Sequence, residues 1–230
     1  MGALFDKYDK SFGAVVQSSI DFSGLPHSFF TEAKADALRE LVTARLHGPH
    51  KPDMLDVGCG IGELHPFVRG MFGRICGADV SAASIAQARI RNPGVEYEAY
   101  AGETLPYDNA TFDLSLAICV LHHVPPSQWA CFLREMRRVV RPGGLVCLIE
   151  HNPLNPLTRL AVSRCEFDRD AVLLNAGQTR ALMADAGLHD ARSHYFLLLP
   201  SAAPLARRVE HSLWHVPLGA QYIASGVAQD

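Results

Sequence analysis

Two features that direct a chain into or across a membrane are missing from this sequence. No apolar run approaches the ~18 residues that a membrane-spanning helix requires. The first residues lack the apolar segment of a secretory signal, because Asp6, Lys7, Asp9 and Lys10 interrupt them. We therefore expect a cytoplasmic protein without a transmembrane segment.

An excess of basic residues is also missing. The chain has 21 Lys and Arg against 24 Asp and Glu, a formal net charge of −3, which provides no electrostatic attraction to a phosphate backbone. The one basic cluster, Arg134, Arg137, Arg138 and Arg141, falls on one face of a predicted helix and is typical of a solvated surface. A nucleic-acid partner is therefore disfavoured.

Disulfide, redox and linker patterns are absent as well. None of the six cysteines belongs to a CxxC pair, and four lie within or beside apolar strand runs, as reduced core residues do. No Gly/Ser-rich or Pro-rich linker divides the 230 residues, and a hydrophobic content of 48% is sufficient for one α/β core. The sequence predicts a single domain over residues 1–230 and leaves its oligomeric state open.

The sequence contains only part of a dinucleotide-binding pattern, and this limits the kinds of ligand that the loop is expected to bind. The apolar run Asp53–Val57 breaks into the alternating glycines of Gly58–Gly62, a pattern typical of a strand, a tight loop and a helix start. The pyrophosphate-binding pattern GxGxxG would need glycine where the chain has Glu63. Since Glu63 and Asp56 would both repel a phosphate, a cationic or neutral ligand is favoured.

Further segments follow this loop in a fixed order. Ile75–Ser81 is a short strand that ends in the acidic Asp79, Gly102–Tyr107 leads into the apolar run Phe112–Val124, and Leu133–Glu150 combines a helix, a Pro-Gly-Gly turn and a strand. Their order and spacing resemble the class I S-adenosylmethionine-dependent methyltransferases, and among them the small-molecule, type 11-like enzymes. The resemblance covers roughly residues 53–150.

The resemblance implies a fold and a cofactor. We expect a doubly wound, Rossmann-like α/β sheet that is mostly parallel with an antiparallel final strand, helices on both faces, and S-adenosyl-L-methionine as the cofactor. Asp79 would hold both ribose hydroxyls, whereas Ala101 stands where relatives often carry an Asp for adenine. The expected cofactor-binding residues are Asp56, Gly58, Cys59, Gly60, Gly62, Asp79, Val80, Gly102, Glu103, Cys119 and His122.

The hydrophobic pattern agrees with that fold. After the first strand we expect further strands at 74–79, 95–100, 112–119, 145–150, 195–199 and 221–228, separated by helices beginning near Ser81 and Ser127 and covering 179–186. Pro142–Gly144 is predicted to be a turn before the fifth strand, and Ala202–Leu213 a helix that overhangs the active-site edge.

Histidines at the predicted strand ends are the candidates for proton transfer. Ligands of open α/β sheets bind beyond the carboxyl ends of the strands, and the ordinary histidine pKa of ~6.5 suits a base near neutrality. We predict His151 first and His123 second as catalytic bases, and His122 as a contact to the cofactor. Such a histidine can equally cap backbone carbonyls or fill the pocket wall.

No metal site is predicted. The sequence lacks a compact ligand pattern such as HxxxH or paired carboxylates, and methyl transfer does not require a metal. The alternative set would bring Glu150, His151 and His122 together with Asp113.

The acceptor site is expected in the segments outside the core of residues 53–150. Residues 1–50 would form a helical cap, and residues 151–176 and 200–219 would be insertions on the substrate side. Arg159 and Arg164 are candidates to bind an acidic acceptor, and Phe196–Leu199 would be either a lipid or membrane contact or a buried edge strand. We expect methyl transfer to an oxygen, nitrogen or carbon of a small-molecule or lipid-linked acceptor; the alternative is an inactive S-adenosylmethionine-binding partner or regulator.

Overall fold

A seven-stranded sheet organises the protein. The computed structural model describes residues 12–199, 201, 203 and 209–229. The strands lie in the order β3-β2-β1-β4-β5-β7-β6, in which β7 is antiparallel to both neighbours and the other pairs are parallel. Their bounds are β1 Asp53–Val57, β2 Arg74–Asp79, β3 Glu96–Ala99, β4 Phe112–Ile118, β5 Val140–His151, β6 Leu188–Phe196 and β7 Gln221–Ala228. The predicted doubly wound, Rossmann-like fold is confirmed.

Helices connect the strands and precede the sheet. They are α1 Phe12–Ile20, α2 His27–Arg45, α3 His65–Val68, α4 Ala82–Arg91, α5 Trp129–Arg138, α6 Pro156–Arg164 and α7 Ala176–Asp185. Helix α4 begins beside Ser81 as the sequence predicts, and Ser81 caps it, because its side chain accepts a hydrogen bond from the Ser84 amide at 3.1 Å. Within the described ranges, no helix is long and apolar enough to cross a bilayer.

The core lies on both faces of the sheet. In β5, Val146 and Leu148 pack in one hydrophobic cluster with Leu133 and Met136 of α5, while the alternate residues belong to a second cluster that contains Leu38 of α2. Successive strand side chains point to opposite faces, so a strand buried on both sides is apolar throughout. This explains the continuous apolar run that marks β5 in the sequence.

Two predicted elements differ in extent from the structure. The residues Pro142–Gly144 lie inside β5 instead of forming a turn before it, and the pairing of β4 with β5 shifts register between Phe112 and Leu114. This irregularity lets the strand continue through them. The sixth strand begins at Leu188 rather than at Tyr195. The hydrophobic pattern missed its first half because those residues are mostly polar and half-exposed, as the residues of an edge strand can be.

The insertion before β7 closes one edge of the sheet. Part of the predicted helix Ala202–Leu213 lies outside the described residues. In the described part, the Tyr195 amide donates to the Trp214 carbonyl at 2.6 Å, and the Trp214 ring stacks on His194 with centroids 3.9 Å apart. Residues 209–219 therefore cover β6 and do not line the cavities beside the loop after β1. Phe196 and Leu197 are buried beneath this cover, which favours the buried-strand interpretation of that apolar run.

Candidate active site

The loops after β1 and β4 meet at the middle of the sheet. The chain passes from β1 to β2 on one side and from β4 to β5 on the other, so a crevice opens at the carboxyl ends of β1 and β4. Gly58 follows β1 directly, and a Cβ atom on it would lie 2.5 Å from the side chain of Val120 after β4. Only glycine allows the two loops to approach this closely.

The backbone of the glycine loop faces the crevice. The Gly60 amide donates to Asp79 Oδ2 at 2.8 Å, which ties the loop to the end of β2. Gly60 has a φ of +52°, and a Cβ there would meet no atom within 4 Å, so its exposed face is open to a ligand. Gly62 differs, because its Cβ would lie 2.3 Å from the Tyr97 hydroxyl. Gly62 therefore packs behind the loop and lines neither cavity.

A wide cavity of about 860 Å³ lies on the β2 side of the glycine loop. Asp79 lines it, and the second carboxylate oxygen of Asp79 accepts from the Ser81 amide at 2.8 Å. Burial raises the pKa of Asp79 against the effect of these two amides. Five more residues of the wall, all from the loops after β2 and β3, are Val80, Tyr100, Ala101, Gly102 and Glu103. The volume is ample for a nucleoside.

A narrow cavity of about 210 Å³ lies on the other side of the same loop. Strand β1 contributes Asp56, the loops after β1 and β4 contribute Cys59 and Cys119, and helix α2 contributes Lys34. Helix α6 and the turn after it contribute five residues, Ala161, Val162, Cys165, Phe167 and Asp168. Gly58, Gly60, Ile61 and His123 line both cavities. The two cavities therefore adjoin at the glycine loop and at His123.

Asp56 is held in place by a buried chain of hydrogen bonds. Its Oδ2 lies 3.0 Å from His65 Nε2, and the other ring nitrogen of His65 contacts the Tyr97 hydroxyl, which also accepts from Asn92 Nδ2 at 2.9 Å. Asp56 Oδ1 is buried and has no hydrogen-bond partner in the described part of the chain. A buried carboxylate oxygen without a hydrogen-bond donor lowers the stability of the fold, so we expect a bound ligand to donate a hydrogen bond to this atom.

Three histidines form one cluster beside the narrow cavity. The His122 ring centroid lies 4.2 Å from that of His123 and 5.3 Å from that of His151. His122 Nδ1 lies 2.5 Å from Glu150 Oε2, and the other oxygen of Glu150 accepts from the Leu121 amide at 2.8 Å. Asp168 Oδ1 lies 3.4 Å from Nε2 of both His122 and His123.

The cluster separates the histidines into one cation and two neutral rings. Burial works to lower the pKa of His122, but the Glu150 and Asp168 carboxylates outweigh it and hold this pKa well above its ordinary value. Burial and the charge on His122 lower the pKa of His123 to about 4, and they lower the pKa of His151 to about 4 as well. His123 and His151 are therefore the neutral rings of this cluster at neutral pH.

Several other sequence candidates lie away from the two cavities. Asp113 is at the amino end of β4, where it accepts from the Asp53 amide at 2.8 Å and pairs with Arg141. The alternative metal set that included Asp113 is therefore wrong, because the two ends of a strand cannot meet. Arg159 and Arg164 line neither cavity, and the Arg164 guanidinium lies over the Phe22 ring at 5.4 Å.

Sequence reasoning missed Lys34, His65, Tyr97 and Asp168. His65, Tyr97 and Asp168 orient groups that were predicted, and Lys34 brings a cation to the narrow cavity. None of them lies in a motif, and each meets its partner only through the fold.

The two cavities fit S-adenosylmethionine. The open face of Gly60 and the carboxylate of Asp79 suit a ribose, and the wide cavity holds the rest of a nucleoside. The unpartnered Asp56 oxygen and Lys34 share the narrow cavity, as a ligand with both an ammonium and a carboxylate requires.

Comparison with known proteins points to the same class. The family model described as "Methyltransferase domain" matches residues 55–148. The fold, the two cavities and this match over residues 55–148 support a class I S-adenosylmethionine-dependent methyltransferase, with S-adenosylmethionine as the cofactor.

Individual relatives share part or all of the chain. It is 28% identical to an uncharacterized methyltransferase of Synechocystis sp. over 62% of this chain and 69% of that one. It is 33% identical to the malonyl-[acyl-carrier protein] O-methyltransferase of Salmonella typhimurium over 52% of this chain, and it spans 45% of that protein's length. A Thermotoga maritima structure described as a possible histamine N-methyltransferase covers both chains fully, with a TM-score of 0.71 and 19% identity, and so shares the fold.

Proposed function

We propose that this protein transfers the methyl group of S-adenosylmethionine to a small-molecule acceptor bound in the narrow cavity, beside the histidine cluster. The observation that carries the proposal is that the wide and narrow cavities adjoin at Gly58, Gly60 and His123. A donor whose nucleoside lies in the wide cavity and whose methionine end reaches into the narrow one can thus present its methyl group to a second molecule bound in the narrow cavity. More specifically, we propose that an oxygen, nitrogen or carbon of a small or lipid-linked acceptor attacks the methyl group in a direct displacement.

The cofactor would be held from both sides of the glycine loop. Asp79 would accept hydrogen bonds from the ribose, and Val80, Gly102 and Glu103 would surround the base. In the narrow cavity, Asp56 Oδ1 would accept from the ammonium group, and Lys34 would face the carboxylate. Bound S-adenosylmethionine supplies a methyl group activated by a sulfonium, so the protein must mainly align the acceptor and exclude water.

Proton removal falls to the neutral histidines. His151 is the first candidate base and His123 the second; His123 lies where the two cavities adjoin. Since a pKa of about 4 makes each ring a weak base, either would accept the proton most readily as the acceptor becomes acidic on forming the new bond. His122 is an ion-paired cation and orients its neighbours instead.

The acceptor side of the narrow cavity is largely apolar. Val16 and Ile20 of α1, Val162 of α6 and Phe167 of the following turn line it. This lining and the volume of about 210 Å³ favour a small acceptor, or the reactive end of a larger lipid-linked one.

Transfer of labelled methyl groups tests the proposal. Purified protein is incubated with methyl-labelled S-adenosylmethionine and a host-cell extract, and label is counted in the organic and aqueous phases. Wild-type protein should label one phase. Asp79→Asn should reduce the label more than tenfold, because a hydrogen-bonding carboxylate is lost from the cofactor cavity. Asp185→Asn, at the exposed end of α7, is the matched control and should retain full transfer.

Calorimetry distinguishes the inactive alternative. Binding of S-adenosylmethionine without any labelled product would support a cofactor-binding partner or regulator. Absence of cofactor binding by the wild-type protein would refute both functions. Label in the organic phase indicates a lipid-linked or apolar acceptor, and label in the aqueous phase indicates a soluble metabolite.

A further inference from the structure

We propose that His122, His123 and Asp168 form a binding site for a divalent transition-metal ion of the zinc type at the wall of the narrow cavity. One ligand atom from each residue converges, a ring nitrogen of each histidine and a carboxylate oxygen of Asp168, and these three atoms lie within 4.8 Å of one another. Two imidazoles and one carboxylate are a donor set that zinc prefers. The proposal is independent of the identity of the methyl acceptor.

The distances between the ligand atoms fit a metal centre better than direct hydrogen bonds. Asp168 Oδ1 lies 3.4 Å from Nε2 of His122 and 3.4 Å from Nε2 of His123. Charge-assisted hydrogen bonds between such groups are shorter, about 2.7–2.9 Å. Two ligands that are each ~2.0–2.1 Å from a tetrahedral zinc ion are separated by about 3.3 Å. The observed spacing therefore leaves room for an ion among the three atoms.

A second observation is the state of His122. Its side chain is 1% exposed, and its Nε2 atom is buried without a hydrogen-bond partner among the described residues. Its other ring nitrogen faces Glu150 Oε2 at 2.5 Å. A carboxylate that accepts from one nitrogen of a histidine directs the lone pair of the other nitrogen to a metal, and this is the usual outer partner of a metal-binding histidine. The ion would take the place of a proton between His122 and Asp168.

The fold holds the ligands on two separate elements. His122 and His123 belong to the turn Leu121–His123 after β4, and Asp168 belongs to the turn Glu166–Asp168 after α6. The Val172 amide donates to the His122 carbonyl at 2.9 Å, which ties these two segments together. Three protein ligands leave a fourth position of a tetrahedral ion for an outside group. Since all three residues line the narrow cavity, a small molecule bound there could supply that group.

The test measures metal binding by the full chain without a histidine tag. The protein is stripped with a chelator and titrated calorimetrically with Zn²⁺, and Co²⁺ is added separately to record its visible d–d bands. We expect one ion per chain and a cobalt spectrum typical of four-coordinate geometry. His123→Gln and Asp168→Asn should each weaken Zn²⁺ binding at least tenfold, and Glu150→Gln should weaken it ~10–100-fold through the outer partner. His211→Gln is the matched control, because the exposed His211 contacts Glu40 and Trp214, lines neither the wide nor the narrow cavity, and should leave binding unchanged when replaced.

Three results would overturn the proposal. They are the lack of saturable Zn²⁺ binding by the wild-type protein, an octahedral cobalt spectrum typical of loosely bound aqueous ion, or equal affinity in wild type, His123→Gln and Asp168→Asn. The wild-type cobalt spectrum decides the question even where a variant fails to fold, which circular dichroism would reveal. Binding of S-adenosylmethionine by the stripped protein is measured in parallel, so that a failed metal site is distinguished from a failed cofactor site.

Discussion

Within the glycine loop, Gly60 faces open space and Gly62 packs against the rest of the fold. Gly60 and Gly62 both have positive φ, so the sequence pattern treats them alike, and both were expected to bind the cofactor. A Cβ on Gly60 would point into open space, whereas one on Gly62 would meet the Tyr97 hydroxyl at 2.3 Å and Asn92 Nδ2 at 2.6 Å. Glycine is therefore required at these two positions of one motif for two different physical reasons.

Alanine at these two glycines should separate affinity from stability. Gly60→Ala places a methyl group where the ligand approaches, so S-adenosylmethionine affinity should fall at least tenfold while the free energy of unfolding falls by only ~1–2 kcal/mol, the cost of a left-handed backbone. Gly62→Ala adds a clash to that cost and should lose clearly more stability. Calorimetric titration and urea unfolding measure the two quantities. Equal stability losses would show that the predicted clash at Gly62 is relieved by local movement.

The residues that the motifs identified are those whose neighbours are close in sequence. Asp56, Gly60 and Asp79 could be predicted because one strand and the following turn determine their placement. Lys34 and Asp168 could not, because α2 and the turn after α6 approach the glycine loop only in the folded chain. Long-range packing leaves no local sequence pattern.

At the scale of elements, helix α6 supplies part of the roof over the narrow cavity. Asn155 caps it: its side chain accepts from the Leu157 and Thr158 amides and donates to the Leu218 carbonyl at 2.7 Å. Asn175 caps α7 with the same chemistry, in a capping box with Gln178. Residues of α6 line the narrow cavity, and those of α7 line neither cavity.

Removal of either cap should have the same effect on stability and different effects on catalysis. Asn155→Ala and Asn175→Ala should each cost ~1 kcal/mol, because both leave helix amides without an acceptor. Only Asn155→Ala should reduce methyl transfer at limiting acceptor, since the roof loosens, and it should leave S-adenosylmethionine affinity unchanged. Thermal unfolding and the labelled-methyl assay check both points. A similar loss of transfer in Asn175→Ala would assign the effect to general destabilisation.

The strands that the sequence placed best are those buried on both faces. The bounds of β2 and β7 agree with the prediction, because a central strand is apolar along its whole length. The first half of β6 was missed because its half-exposed residues follow no hydrophobic pattern. The continuation of β5 through Pro142–Gly144 was missed because a register shift with β4 accommodates residues that usually end a strand.

At the scale of the whole molecule, the cofactor site joins β1, β2 and β4, so cofactor binding should stabilise the entire sheet. At a hundredfold excess over Kd, S-adenosylmethionine should add ~2.7 kcal/mol to the free energy of unfolding. For a domain of this size that is a rise in Tm of about 5–10 °C. Differential scanning calorimetry measures the rise, and Asp79→Asn should abolish most of it.

Acidification should reduce this stabilisation. Burial raises the pKa of Asp79, and the nearby Asp56 carboxylate raises it further, so Asp79 protonates at a higher pH than an ordinary aspartate. The protonated group no longer accepts two hydroxyl donors, so the cofactor-induced rise in Tm should shrink as pH falls from 7 toward this raised pKa. His123 and His151, with pKa values of about 4, stay neutral over this range.

In the protein without cofactor, Asp79 makes stability depend on pH in the opposite direction. A carboxyl group whose folded pKa is raised contributes stability that is lost as pH rises through that pKa, so ionised Asp79 weakens the free protein at neutral pH. A cofactor-induced rise in Tm that stays constant as pH falls from 7 to about 4, the ordinary aspartate pKa, would remove the assigned role of Asp79.

The sequence by itself determined the class of fold, the cofactor and the position of the glycine loop, because strand periodicity and a glycine turn are local properties of adjacent residues. The tertiary structure alone decided which side chains line the narrow cavity: it brought Lys34, His123 and Asp168 together there and placed Asp113 and Arg164 away from it. These contacts depend on how distant helices pack onto the sheet, which short-range patterns do not encode.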